Sequence, residues 1–258
     1  MKTNPHPTRF LRWNTRGCRG AGFTVLELLA VIAVLFILAL LLMPAFVDAR
    51  AGVTRMNCAS RQRQAVNGIL LYAADHGGFL PPVGNHRNWK GLGRTEWWLY
   101  PRWVGAYIDF RSLGTNLMQV IRCPSIKNSN IETGGIGLNH DELGIWLGPA
   151  RQEFEAGFQP QMHDVRKPAD TAVLADVGYL QNPTELNPAL WRFTQDNGGA
   201  HLFRTPNNSD YNTDPQRAVN RHGKTMVAAY MDGHVGIQSV TNLGFQYTRN
   251  HALAKWDL

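Results

Sequence analysis

No aspartate or glutamate occurs among residues 1 to 22, although Lys2, Arg9, Arg12, Arg16 and Arg19 all lie there. An acid-free basic start is the flank that stays cytoplasmic when a membrane segment follows. Charge and strong polarity then vanish from Leu28 to Val47. At about 1.5 Å per residue this run crosses a hydrocarbon core of roughly 30 Å. It is longer than the roughly 7 to 15 residues of a secretory h-region. The small-x-small triplet Ala49-Arg50-Ala51 keeps cleavage of a signal peptide as the competing reading. With the basic flank inside, the chain beyond residue 47 is expected outside the cytoplasm.

Cysteine is equally scarce: Cys18, Cys58 and Cys123, with no C-x-x-C pair. That removes the spacing by which structural zinc sites are read from sequence. The chain also lacks a nucleotide-binding glycine loop, a G-x-S-x-G elbow and any internal repeat. Nor does its net charge of +7 argue for nucleic acid. Five of the 26 Lys and Arg lie in residues 1 to 22, leaving 21 against 19 acids downstream. Arg50, Arg55, Arg61 and Arg63 form the one later basic cluster, and beside a membrane it reads as headgroup contact rather than nucleic-acid binding.

What is present begins with Glu27, a carboxylate at the edge of the apolar run. Such a residue near hydrocarbon calls for a partner. The simplest account is an interfacial Glu favoured by the positive end of its helix. Gly22, however, precedes Phe23, and a cut between them creates an α-amine one helical turn from Glu27.

Gly22-Phe23-Thr24-Val25-Leu26-Glu27, behind a short basic leader and ahead of an apolar helix, resembles the N-terminal motif of type IV prepilin-like proteins. That family includes pilins and the pseudopilins of type II secretion. Val25 and Leu26 depart conservatively from the family pattern, and Pro44 matches its helix-bending proline. The resemblance implies a prepilin peptidase/N-methyltransferase that cuts between Gly22 and Phe23 and methylates Phe23. It further implies that Glu27 aids docking between subunits. The partners it implies are that peptidase, other pilin-like subunits, an inner-membrane assembly platform and membrane lipid. The implied location is the inner membrane, single-pass, with the C-terminal domain extracytoplasmic.

Beyond the membrane, Val53, Met56, Ala59, Val66, Ile69 or Leu70, and Ala73 recur at helical steps, interrupted near Gln62 and Arg63. Asp75-His76-Gly77-Gly78 and then Pro81-Pro82 stop the helix. The organisation expected is a leader over 1–22, a membrane helix over 23–47, its extension over 48–76 and a globular domain over 77–258. "MNCASRQRQAVNGILLYAADHGGFLPP" resembles the corresponding helix of a prepilin-like group bearing an H-X9-DG motif. That motif is present as His222, Asp232 and Gly233. Asp232-Gly233 between apolar runs predicts a two-residue hairpin pairing Tyr230 with Val235 and Ala228 with Ile237, whose common face covers the helix. With a further strand in "TAVLADVGYL", the fold class expected is α+β, a pilin-like long N-terminal helix on an antiparallel sheet.

Trp89, Trp97, Trp98, Tyr100, Trp103 and Tyr107 offer either a stacking platform for sugars or, the favoured reading, core packing. Thr205 to Pro215 reads as an exposed loop. In an oxidising compartment, and with the leader's Cys18 removed, Cys58 and Cys123 permit one disulfide. His222, Asp232 and His234, with Asp176 conceivably nearby, are the candidates for a metal or acid/base site, but their spacing compels neither. The expectation is a structural role for His222, Asp232 and Gly233, with no catalytic residue, metal or cofactor. The functional expectation is a membrane-anchored pilin- or pseudopilin-like subunit of a pilus, pseudopilus or related envelope apparatus. A helix-anchored binding module for polysaccharide or another surface ligand is the alternative. An anchored metal-dependent hydrolase is the third reading.

Overall fold

A computed structural model describes residues 23–85, 95–108, 122–126, 134–140, 142–147, 159–194 and 200–258. The leader with Gly22 and Cys18, and Trp89, lie outside the described residues. Helix α1 (Val25–Asp75) comes first, and two compact units, Met1–Asp48 and Ala49–Leu258, divide the chain.

In the first unit, the apolar side chains from Leu28 to Val47 are exposed all round the helix. A helix apolar on every side has no aqueous face. This stretch has the length and composition of a membrane anchor or a signal sequence. Its start is chemically defined. Thr24 precedes the first helical residue, its N–H and hydroxyl each donate to Glu27 Oε2 at 2.9 Å, and Glu27 N–H returns a bond to Thr24 Oγ1 at 3.3 Å. This reciprocal arrangement is a capping box, which satisfies donors that the first turn cannot satisfy internally. Pro44 lies inside the helix.

In the second unit, α1 buries Cys58, Gln62, Ala65, Val66, Ile69, Tyr72 and Ala73. The expected stripe is therefore corrected at its start. Val53 and Met56 are each 60% exposed, and the buried face instead runs through Cys58 and the fully buried Gln62. Gln62 does not interrupt the stripe because its amide is hydrogen-bonded within it. The helix ends at Asp75, where Gly78 N–H bonds back to Ala73 C=O at 2.8 Å.

The strands are β1 (Gly84–Asn85), β2 (Ile136–His140), β3 (Trp146–Leu147), β4 (Ala172–Tyr179), β5 (Leu202–Arg204), β6 (Gln216–Ala218), β7 (Met226–Tyr230) and β8 (Val235–Gln238). The main sheet runs β5-β2-β4-β7-β8, with β6 also paired to β4. It is mixed, which corrects the expected antiparallel sheet: β5 lies parallel to β2, and β1 lies parallel to β3 in a separate pair. A tight turn forces antiparallel pairing only on consecutive strands, whereas β2 and β5 are joined through β4 and a long connection.

The hairpin also corrects its predicted register. Val227 pairs with Ile237 and Ala229 with Val235. The loop holds three residues, Met231, Asp232 and Gly233, with Gly233 N–H bonded to Tyr230 C=O at 2.9 Å and Gly233 at φ +88°. Asp232 does not take positive φ, so Asp-Gly forms the end of a three-residue loop with a left-handed glycine. A one-residue shift exchanges the faces. Val227, Ala229 and Met231 therefore share a core with Ala65, Val66 and Ile69, while Met226, Ala228 and Tyr230 face the other way. That second face is covered by the C-terminal segment, which supplies Val240, Leu243, Phe245 and Trp256.

Candidate functional site

Asp176 is fully buried on the helix-facing side of β4. Burying a carboxylate is costly unless it is paired and hydrogen-bonded. The topology explains how the pairing arises. β4 pairs with β7 at Ala172, Leu174 and Ala175, and with β6 from Val177 to Tyr179. Asp176 lies where the neighbour changes, and the link from β6 to β7 passes there. Val227 N–H donates to Asp176 Oδ2 at 2.8 Å. The same link makes a tight turn, with Gly223 at φ +72° and His222 N–H bonded to Thr225 C=O at 2.9 Å. Glycine at the first of two central positions suits this turn. It delivers His222 Nε2 to 3.3 Å from Asp176 Oδ2.

Two more elements converge on the carboxylate. From α1, Cys58 Sγ lies 3.0 Å from Asp176 Oδ1, and Gln62 Nε2 donates to the same oxygen at 3.2 Å. Gln62 Nε2 also donates to Val227 C=O at 3.1 Å, so one amide joins helix, β4 and β7. From the segment 122–126, Cys123 Sγ stands 3.5 Å from His222 Nε2, and Ser125 Oγ lies 3.2 Å from His222 Nδ1. Cys123 is held by its own N–H to Gly134 C=O at 2.7 Å, and Arg61 of α1 hydrogen-bonds Arg122 C=O. One donor atom from each of Cys58, Cys123, Asp176 and His222 lies within 4.8 Å of every other.

Protons are shared unequally in this cluster. The hydrogen bond from Cys58 is the main influence pulling the Cys123 thiol down to about 6; the His222 bond and charge add to it, while burial and Asp176 oppose. The same thiol pair, then burial and the Asp176 charge, hold Cys58 protonated well above the usual thiol range. Burial opposes a charged His222, yet hydrogen bonds and charges from Asp176 and Cys123 prevail and push it up to about 9. Geometry thus gathers two cysteine sulfurs, an imidazole and a carboxyl group in one enclosed spot.

Of the residues singled out from sequence, this cluster joins His222, Cys58, Cys123 and Asp176. The Cys58–Cys123 disulfide is not formed: both are free, buried thiols, and Cys58 Sγ is turned toward Asp176. Asp232 and His234 are elsewhere, with Asp232 Oδ1 accepting from His234 N–H at 3.0 Å and lying 2.6 Å from its Nδ1 on the exposed hairpin loop. The four side chains come from four separate elements, a convergence that C-x-x-C spacing does not record. Gln62 and Ser125 were missed; a glutamine inside an apolar helical stripe was the available signal.

The aromatic segment is mostly interior. Trp98 is fully buried with its Nε1–H bonded to His201 C=O at 3.0 Å, and Trp97 packs edge-on against Trp146 at 5.2 Å. Thr205, expected in an exposed loop, is buried and donates to Glu142. The chain matches no protein-family model, no curated protein and no solved structure.

Proposed function

We propose that the chain is a membrane-anchored, pilin- or pseudopilin-like structural subunit, cut between Gly22 and Phe23, methylated at Phe23 and assembled with sister subunits in an envelope apparatus. The observation that carries this reading is the helix start. A defined N-terminal turn with Glu27 at its third residue opens a helix whose next twenty residues are apolar and exposed and whose later residues enter the core of a globular unit. Peptidase, sister subunits, an inner-membrane assembly platform and lipid are the partners of this reading, and its role is structural rather than enzymatic. The tryptophans within the described part of the aromatic segment are half-buried or buried, which withdraws support from a sugar-stacking platform.

Glu27 has two candidate duties, closing the capping box with Thr24 and meeting the α-amine of a neighbouring subunit. A neighbour's amine offset along the axis neutralises the carboxylate where low dielectric strengthens the attraction. Glu27→Gln separates the duties, because glutamine serves in a capping box but carries no charge. Crosslinking between single-cysteine variants of adjacent helices is expected to fall several-fold in Glu27→Gln and Glu27→Val, with leader removal intact. Wild-type crosslinking in Glu27→Gln would leave Glu27 with the capping duty alone.

A further inference from the structure

The geometry points to a structural zinc site formed by Cys58, Cys123, Asp176 and His222, which clamps α1 and the 122–126 segment to the sheet. Four donors suit a closed tetrahedral site, in which Zn–S bonds of about 2.3 Å and Zn–N or Zn–O bonds of about 2.0 Å place ligand atoms roughly 3.3 to 3.8 Å apart. His222 Nε2 to Asp176 Oδ2, at 3.3 Å, and Cys123 Sγ to His222 Nε2, at 3.5 Å, already fall in that range, while Cys58 Sγ lies 3.0 Å from the other carboxylate oxygen, Oδ1. No pair exceeds 4.8 Å, so side-chain rotation closes the remainder.

The surroundings are those of a metal centre. Ligating histidines engage their second ring nitrogen, and ligating carboxylates are themselves hydrogen-bonded. Here Ser125 Oγ meets His222 Nδ1 and leaves Nε2 turned to the centre, while Gln62 and Val227 N–H donate to Asp176. Two sulfurs with one imidazole select zinc over calcium and magnesium, which take oxygen. The carboxylate disfavours copper(I), which prefers soft donors alone. The charge balances closely: with the thiol protons and the His222 Nε2 proton released, two thiolates, one carboxylate, a neutral imidazole and one Zn²⁺ leave a single negative charge, facing the Gln62 and Val227 donors. Four protein ligands with little exposure leave no open position for substrate, so the site stabilises structure rather than turning over substrate. The inference rests on the Ala49–Leu258 unit and is independent of how the N-terminus is processed.

The full chain, purified in detergent without chelator, is expected to carry one zinc per chain by elemental analysis. After chelation and Co²⁺ addition it should show the visible bands of tetrahedral cobalt with thiolate-to-metal charge transfer. Cys123→Ser, which keeps one thiolate ligand in Cys58, should lose about half of the charge-transfer intensity or fail to bind Co²⁺. Ser125→Ala alters no ligand and only a small side chain, so it should fold normally and bind Zn²⁺ roughly 10 to 100-fold more weakly. His234→Ala, on the exposed loop, should bind as wild type. A folded wild-type chain that takes up neither Zn²⁺ nor Co²⁺, or whose two thiols are joined by a disulfide when isolated, would overturn the proposal. So would full Co²⁺–thiolate absorption in Cys123→Ser.

Discussion

Trp256→Ala is expected to destabilise the Ala49–Leu258 unit by about 3 to 5 kcal/mol, the range for removing a buried tryptophan. Trp256 is fully buried, near the C-terminus, and its Nε1–H donates to Gly244 C=O at 3.0 Å. Its own carbonyl accepts from Asn139 Nδ2 at 2.9 Å, and the residue immediately before it is tied in as Lys255 C=O accepts from Ala172 N–H at 2.7 Å. The side chain therefore anchors the segment that covers Ala228 and Tyr230. Removing it empties a volume between covering segment and sheet, while the Gly244 carbonyl keeps its bond from Tyr247 N–H at 2.9 Å. At about 2 to 4 °C per kcal/mol for a unit of this size, the melting temperature should fall by roughly 10 °C. Thermal unfolding of the full chain in detergent measures this, and an unchanged midpoint would contradict the assigned core.

The second large effect belongs to Asp176. Asp176→Ala removes the acceptor shared by Val227 N–H, Gln62 and His222, and should cost about 3 to 5 kcal/mol in metal-free protein, as when one partner of a buried pair is deleted. Asp176→Asn should cost less, because its carbonyl still accepts from Val227 N–H. By contrast, Asp232→Ala sits at an exposed loop, and its contact with His234 should contribute about 1 kcal/mol or less. Denaturant unfolding of the three variants after chelation checks the order. Equal losses for Asp176→Ala and Asp232→Ala would refute the different roles given to the two acids.

Some of this architecture was legible in the residues. The apolar run, the helix stop at the Gly-Gly and Pro-Pro pairs, and the strand at 172–179 follow from local signals of length, breaker residues and β-branched content. The hairpin was legible in existence but not in register, because Asp-Gly serves both two-residue loops and three-residue loops ending in a left-handed glycine. That ambiguity inverted the faces of Ala228 and Ala229. The parallel β2–β5 pair was illegible, since no local pattern records which distant strand fills a sheet edge. The four-residue cluster was hidden for the same reason. Cys58, Cys123, Asp176 and His222 meet only because β4 changes neighbours at Asp176 and because Gln62 turns inward from a helix face that otherwise reads as apolar. Even the capping box, written as Thr24-Val25-Leu26-Glu27, was masked by the stronger resemblance carried by the same residues.

The most direct test of the account is the N-terminus of the chain recovered from membranes, read by intact mass and N-terminal sequencing. The account predicts a chain that begins at N-methylated Phe23 and remains membrane-bound, and a Gly22→Ala chain that inserts but keeps its leader. A mature chain beginning at Gly52, after Ala49-Arg50-Ala51, or one whose mass is the same in wild type and Gly22→Ala, would contradict it.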